Sequence, residues 1–323
     1  MDIISLFSGA GGFDQGFKDA GFQVLWANDV EKKVQATYQH NHQETEFCNK
    51  SIVDIQPKEI PDCDGIIGGP PCQSWSIAGA HGGIKDPRGK LFLEFVRIIE
   101  GKKPKFFIAE NVKNITSKQH IQSFRKIRKM FREKGYILRT QELNSADFHV
   151  PQDRKRVFIV GIKEDEAHKV FRFPRKRKNI ITLEDAIGHL KSTPPLPTKN
   201  HRIAEDNHEY LDESFSSIFM SRNRVRGWNE TSFTILAQGR QMVLHPQAPK
   251  MSKVDTDIFE FQKGSEHLYR RFSVREAALI QSFPREFTFF YTNIKDAYKM
   301  VGNAVPPKLA YYLAMQIQRC FDI

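Results

Sequence analysis

Three stretches of this 323-residue chain hold side chains able to do covalent or proton chemistry. The first is Ile66-Ile67-Gly68-Gly69-Pro70-Pro71-Cys72-Gln73-Ser74-Trp75-Ser76. Ile66 and Ile67 read as the end of a buried strand, and the glycines and prolines stop it in a turn. Small residues let a substrate approach the backbone, and two prolines stiffen the loop that carries the thiol. A chain presents a nucleophile in this way. A buried structural cysteine is the commoner reading of a lone thiol, but consecutive prolines before Cys72 make a poor core strand. The second stretch is Glu110-Asn111-Val112, at the end of an apolar run from Lys105 to Ala109. A carboxylate at the carboxyl end of a central strand sits where open α/β sheets bind ligands; the plainer alternative is a neighbour of a helix N-cap. The third is Gln152-Asp153-Arg154-Lys155-Arg156, leading into the strand pattern Val157–Gly161. Two arginines one residue apart at a strand start point to one face and can hold a carboxylate or a carbonyl oxygen. Otherwise they form a solvated basic edge.

The elements that must position these groups follow a doubly wound α/β pattern. Residues 2–7 form a strand, Ser8-Gly9-Ala10-Gly11-Gly12 a turn, and residues 13–20 a helix stopped by Gly21. This is a nucleotide-binding opening, although the third glycine of G-x-G-x-x-G is missing. The next strand, 23–27, ends in Asn28-Asp29, an acid placed to accept from ribose hydroxyls. Glycine turn and Asp29 together point to an adenosine-bearing cofactor, and no P-loop signature occurs. A helix near 30–41 and strands at 45–48 and 64–68 lead to Cys72. Residues 73–90 read as a mobile loop that closes over a substrate. A helix over 91–99, a basic amphipathic helix over 118–134 and a strand over 136–143 complete the pattern.

From about 164 the composition shifts to dense charge, with prolines at 194–197 and poor periodicity. A smaller second domain is expected there. It holds Ser221-Arg222-Asn223-Arg224-Val225-Arg226-Gly227-Trp228 and Gln238-Gly239-Arg240-Gln241. Arg and Gln are the side chains that read guanine and adenine edges, and many of them meet phosphates instead. Ser273 with Glu276 makes a capping box for a helix over 273–282. Val301-Gly302-Asn303-Ala304-Val305-Pro306-Pro307 opens an apolar helix that packs back on the large domain. The expected division is 1–163 for catalysis and cofactor, 164–295 for target recognition, and 296–323 as the returning segment. A formal net charge of +11 and a pI of about 9.4 favour anionic partners, nucleic acid ahead of a membrane surface. No apolar run is long enough to span a bilayer, and the first residues lack a signal-peptide pattern. Four cysteines without a Cys-x-x-Cys pair argue against a metal site and a disulfide scaffold, and fit the cytoplasm.

Phe7-Ser8-Gly9-Ala10-Gly11-Gly12, Gly69-Pro70-Pro71-Cys72-Gln73-Ser74, Glu110-Asn111-Val112, Gln152-Asp153-Arg154-Lys155-Arg156 and Gly302-Asn303-Ala304-Val305 occur in that order. The set resembles the ordered motifs of the DNA cytosine C5-methyltransferases, across almost the whole chain. The variable part, through Ser221–Arg226 and His245-Pro246-Gln247-Ala248-Pro249, is most similar to the HaeIII-type bacterial enzymes, which act on GGCC. The resemblance implies a doubly wound Rossmann-like domain that uses S-adenosyl-L-methionine, with an irregular basic recognition domain. It implies a cofactor pocket of Phe7, Gly9, Ala10, Gly12, Asn28, Asp29, Val30, Ser51, Ile52, Gly69, Pro71, Leu91, Asn303, Ala304 and Val305. Two positions depart from the family: Asp29 stands where Glu is usual, and Ser51 where an acid commonly bonds the adenine amino group.

By the same resemblance Cys72 is the nucleophile that adds to cytosine C6, so that C5 becomes an enamine carbon able to attack a sulfonium methyl. Glu110 protonates N3, Arg156 grips the base O2 and orients Glu110, and Arg154 braces the active-site loop. The base must be flipped out of the duplex. Ser76 and Arg88 are expected to close on it, and Arg224, Arg226 and Arg240 to contact DNA. The expected partner is double-stranded DNA, with a restriction endonuclease that shares the site without binding, and the expected state is a bacterial cytoplasmic monomer. The alternatives are an RNA cytosine methyltransferase, a DNA-binding regulator with a dead site, and a Rossmann oxidoreductase. The Arg-rich region over 164–270, intact Cys72, Glu110 and Arg156, and the Pro-Pro-Cys loop speak against them in turn.

Overall fold

A seven-stranded sheet forms the first of two units. The computed structural model describes residues 1–71, 87–166, 169–199 and 205–322. By internal packing the chain divides into one unit of Met1–Asn144, Lys155–Arg175 and Leu309–Ile323, and a second of Ser145–Arg154 and Lys176–Lys308.

The sheet begins with β1 (Asp2–Leu6), flanked on both sides by parallel partners. These are β2 (Gln23–Asn28) and β4 (Gly65–Gly68), and β3 (Glu46–Cys48) pairs outside β2. Ile3, Ile4, Leu6, Ile66 and Ile67 are fully buried, as expected of strands covered on both faces, which read as continuous apolar runs. On the other side follow β5 (Phe106–Val112), β7 (Lys155–Lys163) and β6 (Tyr136–Asn144). The order is β3-β2-β1-β4-β5-β7-β6, with β7 antiparallel to both neighbours. Chain order reverses between β1 and β4, and ligands bind outside the carboxyl ends of strands at such a switch point. Four helices accompany these strands: α1 (Gly12–Asp19), α2 (Gln35–Asn41), α3 (Pro87–Lys102) and α4 (Ile121–Glu133). Phe92, Phe95, Phe107 and Phe131 pack ring against ring in this unit's core.

One boundary differs from the sequence reading in a way that matters for chemistry. Glu110-Asn111-Val112 continues β5 instead of following it. The parallel ladder with β4 ends at the Gly68–Ala109 pair. The antiparallel ladder with β7 carries on, pairing Glu110 with Phe158, Asn111 with Val157 and Val112 with Arg156. Glu110 is therefore held by strand pairing with β7 beyond the end of the β4 ladder.

The second unit has little regular structure. Its strands are short: β8 (Leu196–Thr198) with β9 (Glu209–Leu211), and β10 (Ser252–Asp255) with β11 (Ile258–Glu260). Its helices are α5 (Leu183–Ile187), α6 (Val274–Ile280) and α7 (Ile294–Asn303). The capping box forms as read: Ser273 Oγ accepts from Glu276 N–H, and Glu276 Oε2 from Ser273 N–H. Phe219, Val225, Leu244, Ala248, Met251 and Tyr269 make a small core. Val301-Gly302-Asn303 closes α7 instead of opening the last helix, and α8 (Pro307–Phe321) starts after Pro306. Proline has no N–H to continue a helix, and its fixed φ suits the first helical position. The apolar part of α8 from Leu309 belongs to the first unit, where Gln318 Nε2 donates to Ala20 C=O at 2.6 Å.

Candidate active site

Strand register brings Glu110 and Arg156 together. Arg156 lies opposite Val112, two residues along from Phe158, the partner of Glu110. That diagonal puts both side chains on one face within reach. Arg156 Nε sits 3.1 Å from Glu110 Oε1, with the side chains 17% and 12% exposed. A partly buried, charge-assisted contact of this kind is stronger than a surface pair. The other carboxylate oxygen lies toward Gly69, where a Cβ would come within 3.4 Å of Glu110 Oε2. Glycine thus leaves room beside the carboxylate.

Asn111, which the sequence reading passed over, ties the cysteine-bearing loop to the same strand. Its Nδ2 donates to Pro70 C=O at 2.8 Å and its Oδ1 accepts from Val112 N–H at 2.9 Å. The side chain is 4% exposed. Successive strand residues point to opposite faces, so Glu110 serves one side and Asn111 the other. The buried amide fixes the chain one residue before Pro71. Cys72, Ser76 and the Arg88 side chain lie outside the described residues.

At the end of β1 the turn Phe7–Gly12 takes left-handed backbone at Phe7, Gly9 and Gly11, with φ of 57°, 58° and 86°. At Gly11 no other residue fits, since a Cβ would lie 2.2 Å from the His42 ring. Gly12 opens α1 directly after this turn. Asp29 fastens the turn: Oδ2 accepts from Gly9 N–H at 2.8 Å and Oδ1 from Glu31 N–H at 2.9 Å. Asn28 is braced inward, its Nδ2 donating to Cys48 and Lys50 carbonyls at 2.9 and 2.8 Å. Val30 is 64% exposed directly after Asp29, an apolar surface suited to a purine face. Ala10 and Ile52 are buried, and Phe7, Gly69, Pro71 and Leu91 half-buried. Ser51 caps a short turn by accepting from Val53 N–H at 3.4 Å, and Arg97 Nη2 fixes that turn through Ile52 and Ile55 carbonyls. These features fit an adenosine-bearing cofactor with a carboxylate. In the second unit Asn303 is exposed, Ala304 half-buried and Val305 buried.

Beneath the glycine turn, Asp14 is fully buried. It accepts from Ser5 Oγ at 2.5 Å and Tyr38 hydroxyl at 2.6 Å. Burial outweighs these bonds and pushes its carboxyl up to about 6. Burial, then the Lys18 charge, pulls His42 down to about 4.

Strand pairing places Arg156 but not Arg154. β7 begins at Lys155, so strand alternation does not reach Arg154. Arg154 is 1% exposed and donates from Nη1 to Ile235 C=O at 3.2 Å within the second unit. Arg224 is also inside, 3% exposed. Its Nε donates to Phe219 C=O at 2.9 Å, and Nη2 to Ile218 C=O at 3.1 Å and Gln241 Oε1 at 3.0 Å. Burial, then Arg222, lowers it to about 10. Arg226 is half-buried over the Phe233 ring and 3.3 Å from Glu230 Oε1. Arg240 keeps 70% of its side chain exposed, with Nε 3.0 Å from Glu213 Oε2. His245 lies buried 3.4 Å from Glu276 Oε1, and burial pulls it down to about 4.

Among the described residues no helix is long and apolar enough to cross a membrane, and no group of three or more His, Cys, Asp or Glu could hold a metal. Residues 1–319 match the family model of the C-5 cytosine-specific DNA methylases. The type II methyltransferase M.FnuDI of Fusobacterium nucleatum is 50% identical over 325 residues, 98% of this chain and 94% of the relative. The type II methyltransferase M.MthTI of Methanothermobacter thermautotrophicus is 51% identical over 323 residues, 99% and 97%. Among solved structures, the Entamoeba histolytica methyltransferase EhMeth superposes with a TM-score of 0.71 at 20% identity, covering 100% of this chain and 98% of that one.

Proposed function

The chain belongs to the C-5 cytosine-specific DNA methylases, and within that family we propose that it methylates the inner cytosine of GGCC in duplex DNA. It is a DNA (cytosine-5) methyltransferase with a Rossmann-like methyltransferase fold and relatives of type II restriction–modification systems. The family draws its methyl group from S-adenosylmethionine. The GGCC assignment is supported by Ser221–Arg226 and His245–Pro249, which carry the closer resemblance. We assign catalysis to the first unit and target recognition to the second, in a cytoplasmic monomer. A partner endonuclease would read the same site without binding the methyltransferase.

The observation that carries the mechanism is the Glu110–Arg156 pair beside Gly69. Arg156 holds one carboxylate oxygen, and the other lies toward Gly69, on the side we assign to the base edge. In this reading the Cys72 thiolate adds to C6 of the flipped cytosine; as the S–C6 bond forms, the C5–C6 π pair moves to C4–C5 and the C4–N3 π pair moves to N3. Glu110 supplies a proton at N3 so that charge does not accumulate there. Arg156 donates to the base O2 and holds Glu110 in register. Bound S-adenosylmethionine supplies an electrophilic methyl on a sulfonium. Elimination passes the C5 proton to a base, the C5–H pair re-forms the C5–C6 double bond as the C6–S bond breaks, Cys72 leaves as thiolate, and the N3 proton returns to Glu110. Asn111 keeps the Pro70 backbone at β5, next to the segment that carries Cys72 in sequence. Phe7–Gly12, Asp29, Val30, Ile52 and Asn303–Val305 are the residues we assign to the cofactor.

Methyl transfer from labelled S-adenosylmethionine to unmethylated duplex DNA, mapped at base resolution, tests the reading. Label at the inner cytosine of GGCC alone is expected. Label in another context discards the assigned site and keeps the enzyme class. In the same assay Cys72→Ser should bind DNA and transfer nothing; retained turnover would remove Cys72 from the mechanism.

A further inference from the structure

Two fully buried glutamines, 129 residues apart, are hydrogen-bonded to each other through their amides: Gln152 and Gln281. Backbone groups at the two ends fix the direction of this contact. Gln152 Oε1 accepts from Ile235 N–H at 3.0 Å, so its Nε2 faces Gln281. Gln281 Nε2 donates to Val301 C=O at 3.1 Å and Ala304 C=O at 2.7 Å, so its Oε1 faces Gln152. The chain of bonds runs one way only, from the Ile235 amide to the carbonyls around Asn303. Reversing either amide would set donor against donor or acceptor against acceptor at both of its ends.

The backbone between these ends is locked as well. Asp153 N–H donates to Ser232 C=O at 2.8 Å, and Ser232 N–H to Pro151 C=O at 2.9 Å. Thr234 Oγ1 donates to Asp153 C=O at 2.7 Å, beside the Arg154 bond to Ile235. Residues 236–237 then lie against Gly302, where a Cβ would come 2.4 Å from Ala237 N. No side chain fits at Gly302, and the two backbones touch directly. Residues 152–154, 232–237, Gln281 and 301–304 therefore form one block within the second unit. Every buried amide group in the glutamine relay is matched, so displacing one part exposes an unpaired partner in the next.

We propose that Gln152 and Gln281 are positioning residues that couple Asn303–Val305 to Asp153-Arg154, the segment that enters β7 two residues before Arg156. A cofactor seated at Asn303–Val305 and a cytosine gripped through Arg156 then each favour binding of the other, because coupling between sites is reciprocal. The proposal rests on the cofactor and base assignments above.

Calorimetry with S-adenosylhomocysteine, which carries no methyl to transfer, tests it with and without duplex GGCC DNA. DNA is expected to tighten S-adenosylhomocysteine binding to the unaltered protein. Gln152→Ala and Gln281→Ala should each remove that tightening and raise the Kd in the presence of DNA by roughly fivefold or more. The double variant should bind no more weakly than the weaker single, since both break one relay. In turnover, KM for S-adenosylmethionine should rise by more than kcat falls. Effects that multiply in the double variant, or a Gln152→Ala Kd equal to that of the unaltered protein, overturn the relay. Lowered melting temperature with unchanged coupling does the same. If an alanine variant does not fold, Gln152→Asn keeps an amide too short to reach Gln281 and gives the same readout. An unaltered protein that binds no S-adenosylhomocysteine removes the cofactor assignment instead. One that binds it and methylates DNA, with variants that match it, removes only the coupling.

Discussion

Strand ladders pair most of the backbone along the seven-stranded sheet of the first unit, whereas in the second unit, with its short strands, guanidinium groups take much of that part. Arg271, 1% exposed, donates to the carbonyls of Leu211, Glu213 and Ser214. Arg275, 5% exposed, donates to those of Asp206, Arg285 and Phe287. Arg224 serves Phe219 and Ile218 in the same way. A loop that lacks a neighbouring strand still has to pair its carbonyls, and an arginine fork supplies several donors in fixed geometry. Phe215 and Phe219 lie near the Arg271 guanidinium, 4.2 and 5.6 Å from ring centroid to Cζ. Part of the chain's positive charge is thus internal scaffold. An arginine-rich run marks a nucleic-acid surface only where the arginines are not already engaged with their own chain.

The comparison breaks first at Glu110. A group placed by strand pairing should be removable without loss of fold, so Glu110→Gln is expected to lower kcat by about 10²–10⁴-fold. Its urea midpoint and DNA affinity should hold. A variant that unfolds instead would make Glu110 part of the architecture, like Arg271. The converse change is Arg271→Met, which takes the guanidinium from one buried carbonyl, Leu211, and two part-buried ones, Glu213 and Ser214. It should destabilise the second unit by about 3 kcal/mol or more. Urea unfolding followed through Trp228, with Trp26 and Trp75 changed to Phe, measures it, and an unchanged midpoint would deny the scaffold role.

Acid sharpens the same contrast. His245 in the second unit and His42 in the first are both held near 4, below the ordinary histidine value of 6.5. Each contributes stability above 6.5 that is lost as pH falls toward 4, worth about 2 kcal/mol by pH 5. Asp14 has the opposite sign. Its carboxyl is raised from 3.8 to about 6, so its contribution is complete below 3.8 and lost as pH rises through 6. Acidification from pH 7 to 5 therefore returns about 1 kcal/mol to the first unit. In the second unit, burial raises the Glu276 carboxyl, but its bonds from Arg270 and neighbours hold it below the ordinary value. It can only add to the loss below 4.5. The Trp228 midpoint should fall more between pH 7 and 5 than one followed through Trp26. Asp14→Asn should enlarge the acid sensitivity of the first unit. Equal falls in both units would show that these buried groups do not govern acid stability.

Legibility in the sequence divided along the same line. The strands, the glycine turn and the Ser273 capping box were readable because each depends on residues close in sequence. Glu110 reads from the sequence as the carboxyl end of its strand, and nothing local announces that β7 extends the ladder past Ala109 to Val112. Arg154 and Arg156 look equivalent at spacing two, and only the start of β7 at Lys155 separates them. Asn111 could have been found: an amide directly after a candidate catalytic carboxylate, on the opposite strand face, needs a partner of its own. Arg224, Gln152 and Gln281 could not, since their partners are far apart in sequence or in irregular segments, with no periodicity to reveal the contact.

Arg240 carries the smallest expected effect and separates the two kinds of arginine most directly. Its side chain is 70% exposed and its one ion pair, to Glu213, is shared with Lys295 at 2.6 Å from Glu213 Oε1. An exposed pair of this type is worth at most about 1 kcal/mol, and Glu213 keeps Lys295 when Arg240 is removed. Arg240→Ala should leave the urea midpoint within that margin. If the guanidinium turns from Glu213 to a guanine edge in the complex, the same change relaxes the preference at one base pair by about 1–3 kcal/mol. Affinity for unrelated DNA should stay as it was. Arg224→Ala should do the reverse, lowering the midpoint while the surviving folded fraction keeps its preference. Methylation rates on a set of single-base variants of GGCC distinguish the two. A uniform loss across the set for Arg240→Ala makes it a phosphate contact, and altered preference for Arg224→Ala would mean that its fork leaves Phe219 and Ile218 when DNA binds.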